Sequence, residues 1–79
     1  MKVEVNLFAT LARYLPAEVR QDDRMMEFRD GTTIGELLQQ LQIPSEEAKL
    51  IFLDGVHADA NAVLSDGNRV GIFPPVGGG

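Results

Sequence analysis

Apolar and polar residues alternate from the start of the chain. Val3, Val5 and Leu7 share one side and Lys2, Glu4 and Asn6 the other, which is the period of a strand with one buried face. Phe8 breaks the alternation and falls on the polar side. Ala9 to Leu15 read as about two turns of helix, capped by Thr10 and stopped before Pro16. Residues 16–24 are polar and turn-rich and read as a loop. Met25 to Arg29 then form a second strand, with Met26 and Phe28 on one face.

The period changes after Asp30-Gly31. Ile34, Leu37, Leu38 and Leu41 fall at i, i+3, i+4 and i+7, the single apolar stripe of an amphipathic helix. Thr33 and Glu36 have the spacing of a capping box, in which each side chain satisfies a backbone N–H at the helix start. Pro44 ends this helix, and Gly35 inside its first turn points to close packing against the sheet. Ser45-Glu46-Glu47 begins one further turn. Leu50 to Leu53 is a continuous apolar strand, reversed at Asp54-Gly55 into a short strand from Val56 to Ala58. Residues 59–68 are irregular, with Val63 and Leu64 as anchors. Val70, Ile72 and Phe73 mark the last strand.

This order of elements predicts an α+β fold: a mixed sheet of four to five strands packed on one main helix. One helix cannot cover both faces of a sheet, so the other face meets solvent or a partner. A compact solution places the first and last strands as parallel neighbours in the middle, the β-grasp arrangement, which the connection rules allow without singling it out. Strand parity then puts Phe8, Phe52 and Phe73 on the uncovered face, an apolar patch of the kind that marks an interface.

Composition narrows the chemistry. Seventy-nine residues make one small domain, of a size that buries only about 60% of its unfolded surface. A net charge of −5 argues against nucleic acid as a ligand. The same charge suits a partner with a basic docking surface, or serves solubility alone. The absence of cysteine removes disulfides, zinc–thiolate sites and thiol nucleophiles together. No apolar run reaches the length of a membrane span, and Met1-Lys2 leads straight into a strand, so a cytoplasmic protein without membrane contact is expected. His57 is the only histidine, and the twelve carboxylates form no acid–base pair or calcium loop. Gly77-Gly78-Gly79 is no phosphate loop, because no lysine and no helix follow it.

What remains is the end of the chain. Pro74 and Pro75 fix φ and favour an extended course. Three glycines follow, and glycine loses the most conformational entropy on ordering, so such a tail makes sense where bare backbone must thread a narrow tunnel. The reactive group is then the terminal carboxylate of Gly79. A carboxylate is a poor electrophile, and adenylation by a separate ATP-using enzyme would supply the leaving group. The domain itself binds no cofactor on this reading.

The ending Asp66-Gly67-Asn68-Arg69-Val70-Gly71-Ile72-Phe73-Pro74-Pro75-Val76-Gly77-Gly78-Gly79 is similar to the closing signature of the MoaD/ThiS sulfur carriers. Within them it most resembles MoaD, the small subunits of molybdopterin synthase, with Gly77 at the variable position. Leu7-Phe8-Ala9-Thr10-Leu11, Gly31-Thr32-Thr33-Ile34-Gly35-Glu36-Leu37-Leu38 and Phe52-Leu53-Asp54-Gly55 also resemble that family's segments. The resemblance implies a β-grasp (ubiquitin-like) domain over residues 1–75 and a flexible tail over 76–79. It implies adenylation of Gly79 by a ubiquitin-activating-like enzyme, a thiocarboxylate, and sulfur delivery inside the large subunit of molybdopterin synthase. Mapped by position, Gly77 and Gly78 thread that site, and Phe73, Pro74, Pro75 and Val76 dock the base of the tail. Phe8 and Phe52 support the interface.

Three other readings stay open. The same carrier could serve thiamine or cysteine synthesis, although thiamine carriers usually lack the double proline. A ubiquitin-like modifier would join Gly79 to a target lysine. A β-grasp binding module would need no covalent chemistry, and loss of Gly78 and Gly79 would leave it intact.

Overall fold

The computed structural model describes residues 1–21 and 23–75. Strand β1 (Lys2–Leu7) is followed by a 3-10 segment (Ala9–Tyr14), helix α1 (Ala17–Gln21), strand β2 (Met25–Glu27) and helix α2 (Ile34–Gln40). A second 3-10 turn (Ser45–Glu47) leads to β3 (Leu50–Leu53), β4 (Val56–His57) and β5 (Arg69–Phe73). The five strands form one mixed sheet in the order β2-β1-β5-β3-β4.

β1 and β5 run parallel in the centre, with Glu4 opposite Arg69 and Leu7 opposite Ile72. The register puts Val3, Val5, Val70 and Ile72 on one face, where all four are fully buried. Ile34, Leu37 and Leu38 of α2 and Leu11 of the first 3-10 segment close this core. It is the alternation and the 3.6-residue period meeting face to face.

The start of α2 has both halves of its capping box: the Glu36 N–H donates to the Thr33 hydroxyl at 3.2 Å, and the Thr33 N–H donates to Glu36 at 2.9 Å. The irregular loop is laid along this end. The Ile34 N–H donates to the Ala62 carbonyl (3.0 Å), the Gly35 N–H to the Ala60 carbonyl (2.8 Å) and the Leu64 N–H to the Thr32 carbonyl (2.8 Å). Gly35 therefore packs against this loop rather than the sheet, since a Cβ there would lie 3.2 Å from the Ala60 carbonyl oxygen. Leu64 anchors the loop; Val63 does not, being 58% exposed while its backbone bridges to Thr33.

The first helical stretch differs from the periodicity reading. Ala9 takes a left-handed φ of 53° and no side chain caps the segment, so Thr10 is not the cap. With Pro16 close behind, the stretch is too short to propagate an α-helix. It closes instead with i→i−3 bonds, such as Leu11 N–H to Phe8 carbonyl at 3.0 Å, and buries Leu11 and Leu15. Pro16 is also not merely a stop. It precedes α1, as proline does at helix starts where its missing N–H costs nothing, inside a stretch that polarity reads as loop. Val19 is the apolar anchor holding α1 to the core. β4 is one residue shorter than its apolar run suggests, although the Ala58 N–H still pairs with the Ile51 carbonyl.

α2 ends before Pro44, in a Schellman motif. The Ile43 N–H reaches the Leu38 carbonyl (2.9 Å) and the Gln42 N–H the Gln39 carbonyl (3.0 Å). Both Leu38 and Ile43 are buried, the hydrophobic contact that accompanies the motif. The left-handed position is held by Gln42 (φ 61°), where glycine would carry no Cβ strain. Gln42→Gly is therefore expected to stabilise the domain by about 1 kcal/mol. Thr33→Ala should cost about 1 kcal/mol through loss of the cap. Denaturant unfolding of the two variants beside the wild type checks both signs.

Candidate functional site: the uncovered sheet face at the root of the tail

The face of the sheet away from α2 carries Lys2, Glu4, Asn6, Arg69, Gly71 and Phe52 by strand parity, and it divides into two halves. At the β1 start, the Glu4 carboxylate meets the Arg69 guanidinium at 3.2 Å and accepts from the Asn6 amide at 2.7 Å. At the other end stand the aromatic rings. Phe8 stacks on Phe73 with centroids 4.2 Å apart and planes 4° apart. Phe52 meets Phe73 edge-on at 5.8 Å, and His57 meets Phe52 edge-on at the same distance. Leu50, 39% exposed, lies opposite Phe73 in the register. Phe8 follows buried Leu7 and so falls on the open side by parity, which is where its ring stands.

The rings surround a shallow groove of about 260 Å³. Gly71 forms its floor, opposite Asn6 on one side and Phe52 on the other. A Cβ at Gly71 would touch the Phe8 ring at 3.4 Å, so the missing side chain is what keeps the groove open. Arg69 lines its far end.

The tail leaves from this cluster. The Lys49 N–H donates to the Phe73 carbonyl (2.9 Å) and the Phe8 N–H to the Ile72 carbonyl (3.1 Å), fixing the strand up to its final residue. Pro74 is half-buried and Pro75 exposed. Val76, Gly77, Gly78 and Gly79 lie outside the described residues, as does the expected boundary between domain and tail. The far end of β5 is held by Asp54, whose carboxylate accepts from the Arg69 N–H (2.8 Å) and the Asn68 amide (2.7 Å).

Thus Phe8, Phe52 and Phe73 come together as parity predicts, and Pro74 and Pro75 extend from them. Gly71, Asn6 and Arg69 were not expected at the site. A glycine inside a strand marks close approach or a space for something to enter, and Gly71 carried that signal. The Glu4–Arg69 pair needed the parallel register. Among the described residues no group of His, Asp and Glu could hold a metal ion. No helix there is long and apolar enough to cross a membrane. The Arg13 guanidinium lies outside the cluster; its hydrogen bond to the Tyr14 hydroxyl, with Glu47 nearby, holds it protonated more firmly than an ordinary arginine.

A five-stranded sheet clasping one main helix, with parallel first and last strands, defines the ubiquitin-like β-grasp class. The chain belongs to the ThiS family, whose profile matches residues 5–79. Among solved structures, a Haloferax volcanii protein, HVO 2177, is 26% identical with a TM-score of 0.73, covering 100% of this chain and 87% of that one. Subunit 1 in a complex of subunits 1 and 2 of the molybdopterin-converting factor from Helicobacter pylori is similar at 27% identity and a TM-score of 0.58, over 100% of both chains. SAMP1 from Haloferax volcanii shares the fold at 23% identity and a TM-score of 0.67, again over 100% of both. Comparison with curated proteins gives no match.

The exposed rings predict a separation of roles. Phe8 is 42% exposed while Val70 is fully buried, so Phe8→Ala should cost about 1 kcal/mol, mostly its stacking. Val70→Ala should cost about 2 kcal/mol or more. Thermal unfolding of the two variants measures the difference.

Proposed function

We propose that this chain is a sulfur carrier for synthesis of molybdopterin, the pterin of the molybdenum or tungsten cofactor. The observation that carries the reading is the junction at Phe73: a half-exposed aromatic cluster continues directly into Pro74-Pro75-Val76-Gly77-Gly78-Gly79. Membership of the ThiS family and the likeness to a subunit 1 solved with its subunit 2 support it. On this reading the aromatic face docks the carrier, the prolines direct the tail outward, and the glycines pass where a side chain would clash.

The chemistry balances without an active site in the carrier. The Gly79 carboxylate attacks the α-phosphorus of ATP in an adenylating, ubiquitin-activating-like enzyme, releasing pyrophosphate. A sulfide-level donor (hydrosulfide) then attacks the acyl carbon, and AMP leaves with one carboxylate oxygen. The thiocarboxylate so formed is carried into the large synthase subunit, where its sulfur passes to the pterin precursor and water restores the Gly79 carboxylate. The carrier contributes recognition and delivery rather than catalysis. The same acyl adenylate could instead meet a lysine amine and leave an isopeptide, which is the modifier reading.

Intact mass after incubation with an activating enzyme, ATP and a sulfur donor tests the proposal. A gain equal to exchange of one oxygen for sulfur is expected, and it should vanish when Gly79 is deleted. Deletion should leave the melting temperature unchanged, because the tail lies beyond the core strand. Lysine-linked adducts without a thiocarboxylate would favour the modifier, and no covalent change with competent activating enzymes would overturn both.

A further inference from the structure

The one formally charged residue lining the groove over Gly71 is a cation, in a chain whose net charge is acidic. The net charge is −5, yet the formal charge lining this groove is the guanidinium of Arg69, 70% exposed. Two carboxylates lie against Arg69: Glu4 pairs with its guanidinium and accepts from the Asn6 amide, and Asp54 accepts from its backbone N–H and from the Asn68 amide. The remaining walls are the rings of Phe8, Phe52 and Phe73. Whole-chain charge points to a basic partner surface, and the local geometry points the other way.

We propose that the groove is a subsite for an apolar side chain of the partner protein with a carboxylate beside it. The apolar group seats on Gly71 between the three rings, and the carboxylate takes the Arg69 guanidinium. This deepens the docking role assigned above and rests on it. A volume of about 260 Å³ suits a single aliphatic side chain with part of its neighbours. A planar guanidinium is a fork donor suited to a carboxylate, and Glu4 is then a competitor that holds Arg69 in place until the partner's acid arrives. Gly71 becomes the residue that decides whether a partner knob fits at all.

Two synthetic peptides, acetyl-Asp-Leu-Asp-amide and acetyl-Lys-Leu-Lys-amide, serve as probes in NMR titrations of the full chain. The acidic peptide should shift the amide signals of Gly71, Phe52, Phe73 and Arg69, with an apparent affinity at least threefold above that of the basic peptide. Raising the salt concentration should shrink that difference. Arg69→Gln should abolish the preference, and Glu4→Gln should strengthen binding of the acidic peptide by removing its competitor. Gly71→Val should remove the shifts for both peptides, with the dispersed spectrum of a folded domain retained. Equal or reversed preference, shifts located elsewhere, absence of any shift, or weaker acidic binding in Glu4→Gln would each overturn the proposal. None of these readouts involves activation of Gly79, so they fail or succeed separately from the carrier chemistry.

Discussion

The parallel pairing of β1 with β5 is the constraint on which the rest of the molecule depends. Two strands that lie side by side in the same direction cannot be joined by a hairpin, so almost the whole chain runs between them. That intervening length supplies α2 for one face and β2, β3 and β4 for the flanks. One helix of two turns covers one face only. The bare face is thus a product of topology, and the aromatic cluster sits there because Phe8 and Phe73, at corresponding ends of the central pair, are brought ring to ring.

The same pairing accounts for how the tail is presented. β5 is a central strand, hydrogen-bonded on both sides up to its last residues. A strand held on two sides is a firm base, so Pro74 and Pro75 start from a defined point and direction beside the rings. The core strands and the interface rings are the same strands read on alternate residues: Val70 and Ile72 inward, Gly71 and Phe73 outward. The buried core and the open face can therefore be altered separately by single substitutions even though they share a backbone.

Much of this was legible before any coordinates. Clean alternation in β1, the capping box and stripe of α2, and the Asp54-Gly55 reversal each depend on neighbours in the chain, so a local pattern states them. Phe8, Phe52 and Phe73 were placed on one face by counting parity. What escaped had non-local or weakly apolar causes. α1 has Ala17 and Val19 as its apolar residues, of which Val19 packs against the core, so its period is faint. The 3-10 form of Ala9–Tyr14 follows from the left-handed turn at Ala9, a residue type that gives no such signal. Gly71 and Arg69 became site residues only when the register set them beside Asn6, Phe52 and Glu4. Net charge averages over the whole surface, so it carries no information about Arg69 at the groove.

The central position of β5 also governs how the protein is made. Residues 69–73 complete the core from both sides, and sheets closed by such distant segments fold slowly because a long loop must be ordered first. A nascent chain that has not been synthesised past Phe73 lacks the strand between β1 and β3, which are left with only their outer partners β2 and β4. It can hold only fragments of hydrophobic surface, the material that chaperones and proteases act on. The folded state itself certifies that the root of the tail has been made.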